Sequence, residues 1–195
     1  MMMMKIIGLT GPTGAGKSTV SAALRENGFF IADGDLIARE IVMKGSPVLT
    51  LLADAFGQEI LSPDGELIRS ELAKRAFKDE KSLALLNSVT HPEIDRIIFD
   101  RIGRAKGFKA AVIDAAALIE SKIANKCDLL CVVTAPDEIR LQRIMNRDGI
   151  SEEAALLRMN AQHPASFYTE RADIVINNFP PYSLDEELKK ITSLF

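Results

Sequence analysis

The chain has 195 residues, 47% of them hydrophobic and 26% charged, with a formal net charge of −3. That length suits one domain with modest insertions, and that composition can build a globular core. The slight acidity argues against a general nucleic-acid binder, which needs a basic face, but it leaves room for an anionic ligand held by local positive potential.

Taken in chain order, residues 5–10 form a short apolar run that enters a glycine-rich loop and reads as a buried strand. Residues 17–27 read as a helix with Val20, Ala23 and Leu24 on one side, and Gly28 ends it. A second buried strand covers 29–32, with Asp33-Gly34-Asp35 at its carboxyl end. Residues 36–43 and 48–56 are helical by period, interrupted by Gly45 and Pro47, and Ser62-Pro63-Asp64-Gly65 is a turn. Three helices are predicted next, over 69–77, 81–90 and 92–106, the last opening on Pro92. Strands three to five fall at 110–114, 129–134 and 174–176. Between the last two lie a helix over 136–147 and another from Ser151, and a final amphipathic helix begins at Ser183.

Buried runs alternating with helices predict an α/β fold, a three-layer P-loop sandwich with a five-stranded parallel sheet. The stretch from 48 to 106 far exceeds a simple crossover of about a dozen residues and reads as an inserted substrate-binding subdomain. The expected organisation is one domain over 1–195. Its core covers about 1–47, 107–135 and 172–195, the helical acceptor-binding insertion about 48–106, and the lid region about 136–171.

No segment is apolar enough to span a bilayer, and the amino terminus lacks the features of a signal peptide, so a cytoplasmic enzyme is expected. The four opening methionines read as an alternative start or a cloning remnant. Cys127 and Cys131 have the spacing of neither a redox motif nor a zinc site, and read as reduced core thiols on or beside a strand.

Gly11-Pro12-Thr13-Gly14-Ala15-Gly16-Lys17-Ser18 fits G-x-x-x-x-G-K-[ST] between a predicted strand and helix. Gly11, Gly14 and Gly16 let the backbone wrap closely around phosphates, and the loop amides, including those of Thr13 and Ala15, point at the anion with the helix N-terminus. Lys17 is expected to reach the terminal phosphates of ATP, Ser18 to ligate Mg²⁺, and Thr19 to touch the α-phosphate.

Asp33 and Asp35 follow the second strand, at the sheet edge where ligands of open parallel sheets bind. A carboxylate there accepts a proton from a hydroxyl or holds a metal-bound water; the competing reading is a turn with a helix N-cap. Arg39, one helical turn after Asp35, is either its ion-pair partner or a ligand for an acceptor phosphate. Asp114 ends the third strand, a usual place for a Mg²⁺-organising acid. Arg140, Arg143 and Arg147 form a stripe that is either an ATP-clamping lid or a solvated basic face.

Together these pieces resemble the dephospho-coenzyme A kinase family over most of the chain. The carrying stretches are Gly8-Leu9-Thr10-Gly11 with the loop, and Asp33-Gly34-Asp35-Leu36-Ile37-Ala38-Arg39. Phe56-Gly57, Ile60-Leu61, Asp64-Gly65, Leu86-Asn87 and His91-Pro92 follow, and then Leu118-Ile119-Glu120, Cys127-Asp128, Arg147-Asp148-Gly149, Ala161-Gln162, Ala172-Asp173 and Asn178. The resemblance implies a P-loop core, a helical coenzyme-binding insertion and an arginine lid. It implies ATP- and Mg²⁺-dependent phosphorylation of the ribose 3′-hydroxyl of dephospho-coenzyme A, by a monomer or small homo-oligomer with no nucleic-acid or membrane partner. It implies Asp35 as catalytic acid-base with Asp33 beside it as a metal ligand. Thr10, Arg39, Arg69, His91 and Leu118 would belong to the acceptor site, and Arg143 and Arg147 to the lid.

The chain departs from the family's usual residues at three places. Ala116-Ala117 stands before Leu118 where Pro-Leu is usual, Ala73 replaces a second arginine of the insertion, and Tyr168 stands near a usual basic position. The alternatives are another P-loop small-molecule or nucleoside monophosphate kinase, and a GTP switch. Asn125-Lys126-Cys127-Asp128 matches N-K-x-D and Asp54-Ala55-Phe56-Gly57 matches D-x-x-G. The first precedes a strand, which predicts the wrong sheet edge for reading guanine, and the second sits in a helical stretch.

Overall fold

The computed structural model describes residues 4–195; Met1–Met3, with part of the opening methionine run, lie outside the described residues. The backbone contacts divide the chain into two compact units, one of residues 4–32 with 105–195, the other of residues 33–104.

The first unit is built on a parallel sheet. Its strands are β1 (Ile6–Thr10), β2 (Phe30–Asp33), β3 (Ala111–Asp114), β4 (Leu129–Thr134) and β5 (Ile174–Asn177), in the order β2-β3-β1-β4-β5. In register, Ile7 faces Val112 on one side and Leu129 on the other, and Cys131 faces Ile174. Each strand is a short apolar run, as expected of strands covered on both faces. One face buries Ile7, Leu9, Cys131, Val133 and Ile176 under Val20 and Leu24 of α1 (Lys17–Glu26). Leu188 and Ile191 of α9 (Leu184–Thr192) complete that layer. Burying a leucine or isoleucine fully is worth about 1.5–3 kcal/mol, so these contacts hold the helices to the sheet. Glu187 of α9 accepts the Asn177 amide at 2.6 Å, which anchors the carboxyl end of β5. Between β4 and β5 lie α6 (Asp137–Asp148), α7 (Glu152–Asn160) and a short α8 (Ala165–Thr169) that periodicity does not reveal.

The second unit is helical, with α2 (Gly34–Glu40), α3 (Pro47–Phe56), α4 (Arg69–Ala76) and α5 (Glu80–Arg104). Ser46 caps α3 through the Leu49 amide at 3.0 Å, with Pro47 just inside the helix. The predicted turn forms, with the Gly65 amide donating to the Ser62 carbonyl at 2.8 Å. The predicted break at Pro92 does not. Residues 80–104 are one helix of 25 residues with Pro92 inside it. Proline removes a single amide donor, here the one that would face Ser88. Nearby hydroxyls brace the same region: Ser88 Oγ donates to Leu85 O at 2.8 Å and Thr90 Oγ1 to Leu86 O at 2.9 Å. Packing of α5 against α2, α3 and α4 outweighs the local loss, with Ile98 and Ile102 buried and Arg101 bonded to Glu40.

Pro92→Ala restores the missing amide and gives up some rigidity in the unfolded chain. A net gain of about 1–2 kcal/mol in stability is expected. Urea unfolding measures it, and a stability equal to or below that of the parent would show that the proline costs α5 nothing.

Candidate active site

The loop between β1 and α1 turns sharply at glycines. Gly14 has φ +79°, and a Cβ there would lie 2.7 Å from the Arg140 carbonyl oxygen, a backbone atom that cannot yield. Gly16, at φ +90°, begins α1 in the left-handed region, where a side chain would be strained and would meet Asn178. The amides of Gly14, Gly16 and Ser18 donate to no described carbonyl. They sit at the positive end of α1, whose first turn carries no acidic residue. Ser18 and Thr19 are exposed there. This is an open cradle for an anion.

The carbonyl side of the loop is gripped from behind. Arg140 Nε donates to Thr13 O at 2.9 Å, and its Nη1 donates to Asp137 at 2.7 Å. Arg143 Nη1 donates to Ala15 O at 3.1 Å and Gly14 O at 3.4 Å, and its Nη2 to Asn178 O at 2.8 Å. Asn178 Nδ2 donates to Ala15 O at 3.0 Å. Gln162 Oε1 accepts the Thr13 amide at 2.8 Å, so that amide is already engaged. Arg140 is only 4% exposed and Arg143 is half-buried, so neither belongs to a solvated face. Arg147, further along α6, is exposed and forms a two-pronged pair with Asp148 at 2.8 Å; Asp148 also binds Arg158. The structure thus brings Arg143 to the loop and leaves Arg147 outside this set. The propping roles of Arg140, Gln162 and Asn178 were not legible, because no local pattern links them to Thr13 and Ala15.

Lys17 bonds Asp114, the buried last residue of β3, and each charge compensates the other. Thr10 is fully buried and donates to Ala116 O at 3.1 Å. Leu118 is fully buried and packs on β1 where Gly8 leaves space for it.

In the helical unit Asp33 caps α2, accepting the Leu36 amide at 2.8 Å. The N-cap reading therefore applies to Asp33. Asp35 lies half-buried in the first turn of α2. Arg39 is exposed in the last turn of α2, and Arg69 is exposed at the start of α4. His91 lies half-buried on α5. Burial pushes its pKa below the ordinary 6.5, partly opposed by the Asp95 carboxylate.

The guanine-reading pattern lies at the other edge of the sheet. Asp128 precedes β4, where its carboxylate accepts from Lys5 Nζ at 2.7 Å and the Ile6 amide at 2.8 Å. Those bonds hold it below the usual carboxylate range. Both cysteines are free thiols, Cys131 fully buried and Cys127 half-buried. Burial pushes each up to about 12, so both are protonated and unreactive at neutral pH.

A glycine loop wrapped over a helix N-terminus, at the carboxyl edge of a parallel sheet ordered β2-β3-β1-β4-β5, defines a P-loop nucleotide-binding fold. Residues 5–181 match the dephospho-CoA kinase family, and the chain belongs to it. It is 44% identical over 174 residues to the dephospho-CoA kinase of Corynebacterium glutamicum, covering 88% of this chain and 87% of the relative. Its identity to that of Carboxydothermus hydrogenoformans is 42% over 180 residues, covering 91% and 87%. Among solved structures, a Thermus thermophilus protein aligns with TM-score 0.84 at 30% identity over 99% of this chain and 97% of its own. A Campylobacter jejuni dephospho-CoA kinase aligns with TM-score 0.69 at 26% identity, covering 97% and 96%.

Two outcomes follow from this geometry. Arg140→Met keeps the bulk of the side chain but loses a charge-assisted bond to the loop. It should raise the KM for ATP and lower stability by about 1.5–3 kcal/mol, by steady-state kinetics and urea unfolding; parent-like values would remove Arg140 from the loop's support. For His91, the depressed pKa means that the folded state favours the neutral ring. Its contribution is complete above the ordinary value of 6.5 and is lost as pH falls through the lowered one. Thermal unfolding across pH 5–8 should therefore show a steeper acid loss in the parent than in His91→Gln, and matching profiles would contradict it.

Proposed function

We propose that this protein transfers the γ-phosphoryl group of ATP to the ribose 3′-hydroxyl of dephospho-coenzyme A, giving coenzyme A and ADP. The observation that carries the donor half is the set of uncommitted amides at Gly14, Gly16 and Ser18 over the start of α1. Family membership carries the acceptor half. The loop amides bind the phosphate chain, Lys17 neutralises its terminal end, and Thr19 adds a contact to the α-phosphate. Asp35 accepts the proton of the 3′-hydroxyl as its oxygen bonds the γ-phosphorus. The bond to the bridging oxygen breaks, and its electron pair leaves with ADP. Arg143 and Arg147 belong to a lid of about 136–171: Arg143 holds the loop from behind, and Arg147 would reach the charge spread over the transferred group only on leaving its pair with Asp148. Thr10, Arg39, Arg69, His91 and Leu118 form the acceptor side, with the helices of about 48–106.

Mg²⁺ fits the residues present. Ser18 offers an exposed hydroxyl, Asp114 a carboxylate at the end of β3, and Asp33 a further oxygen donor. Among the described residues no group of three or more His, Cys, Asp or Glu could hold a metal. A hard cation such as Mg²⁺ ordinarily keeps waters and phosphate oxygens as ligands beside one or two protein oxygens. When bound, the ion supplies charge neutralisation for the phosphates. The proposed setting is a monomer or small homo-oligomer in the cytoplasm, acting on a small molecule without nucleic acid or membrane.

Coupled ADP release with dephospho-coenzyme A against mononucleotides and shikimate tests the reading, and equal turnover of all acceptors would defeat it. Lys17→Ala should cut turnover by about a hundredfold or more, as losing one stabilising donor typically does. Asp35→Asn should lower kcat more than it weakens ATP binding; a collapse of ATP binding instead would make Asp35 a metal-shell residue.

A further inference from the structure

Between the residues that follow β3 and the turn from α7 into α8 lies an open cleft of about 330 Å³, lined by Ala116, Ala117, Glu120, Gln162, His163 and Tyr168. Its size falls within the range of small-molecule sites, about 300–1,000 Å³. It opens beside the loop: Gln162 holds the Thr13 amide, and Ala116 accepts from Thr10.

Tyr168, Gln162 and Glu120 are the polar side chains that matter in its lining. Tyr168 is 2% exposed, and its hydroxyl bonds no described residue. Burial, with the Glu120 carboxylate next, raises its pKa, which keeps the proton on the oxygen. Gln162 uses Oε1 on the Thr13 amide, which leaves Nε2 as a donor with no described acceptor. Glu120 supplies a carboxylate, 3.9 Å from His163 Nε2. No lysine or arginine lines the cleft, and Arg140 is already bound to Thr13 and Asp137. A phosphate would meet Glu120 without a cation. A nucleobase would find little to stack on, since the Tyr168 ring packs edge-on against Phe167 and His163 lies stacked on Phe167 at 3.9 Å. Two donors, one acceptor and an alanine wall match an amide on an aliphatic stem.

We propose that this cleft is a neutral subsite that takes the amide-bearing arm of the acceptor, with Tyr168 and Gln162 donating to it and Glu120 accepting from it. The assignment rests on the function proposed above. Tyr168→Phe keeps the ring and removes only the hydroxyl, and Ala117→Leu fills the cleft. At saturating ATP the acceptor KM should rise roughly five- to tenfold in Y168F, the scale of one neutral hydrogen bond, and further in A117L. The KM for ATP should not move. Inhibition by adenosine 5′-monophosphate, which has the nucleoside end but no amide arm, should also stay constant. An acceptor KM unchanged in both variants overturns the assignment, as does a parallel loss of inhibition by the monophosphate. An equal rise in the KM for ATP overturns it too, making Tyr168 a prop for the loop. If the parent releases no ADP with dephospho-coenzyme A, the function itself falls and the subsite falls with it.

Discussion

A loop that turns its amides toward an anion must turn its carbonyls the other way. In a half-buried loop those carbonyls need donors, because an unpaired buried polar group is costly. The rest of the site depends on that constraint. Thr13, Gly14, Ala15 and Asn178 present carbonyls that Arg140, Arg143 and Asn178 itself satisfy. Those donors come from α6 and from the residue after β5, so both elements must be seated before the cradle holds its shape. Gly14 contributes by lacking a side chain, which lets the backbone of α6 approach.

The electrostatics follow the same logic. Arg143, behind the loop, is bound to neutral carbonyls, so its charge adds to the local positive potential without occupying the anion's place, whereas Arg140 also pairs with Asp137. Lys17 faces Asp114, so a largely buried cation is compensated. A chain with a net charge of −3 can therefore still present a positive pocket, as the composition left room for.

The strands were legible because each is a continuous apolar run bounded by glycine, aspartate or a helix start, and each lies within a residue or so of where the pattern puts it. Pro92 misled because its local cost was weighed without the packing that α5 makes along its length. Asp33 and Asp35 were not separable by position alone, since either could cap α2; the Leu36 amide chooses Asp33. Two of the three departures from usual family residues, Ala116-Ala117 and Tyr168, line one cleft. That convergence cannot be seen in a string where they stand some fifty residues apart.

The sequence by itself determined the glycine loop, the five buried runs and the family, because each is written in spacings of a few residues or in a long ordered match. Tertiary structure alone decided what the distant side chains do. Arg140 meets Thr13 across 127 positions, Gln162 meets it across 149, and Asn178 meets Ala15 across 163. Such contacts depend on the order of strands in the sheet, which places β4 beside β1 and β5 next to β4. Helical periodicity could align Arg140 with Arg143. It could not say that the partners of that face would be the carbonyls of a loop near the other end of the chain.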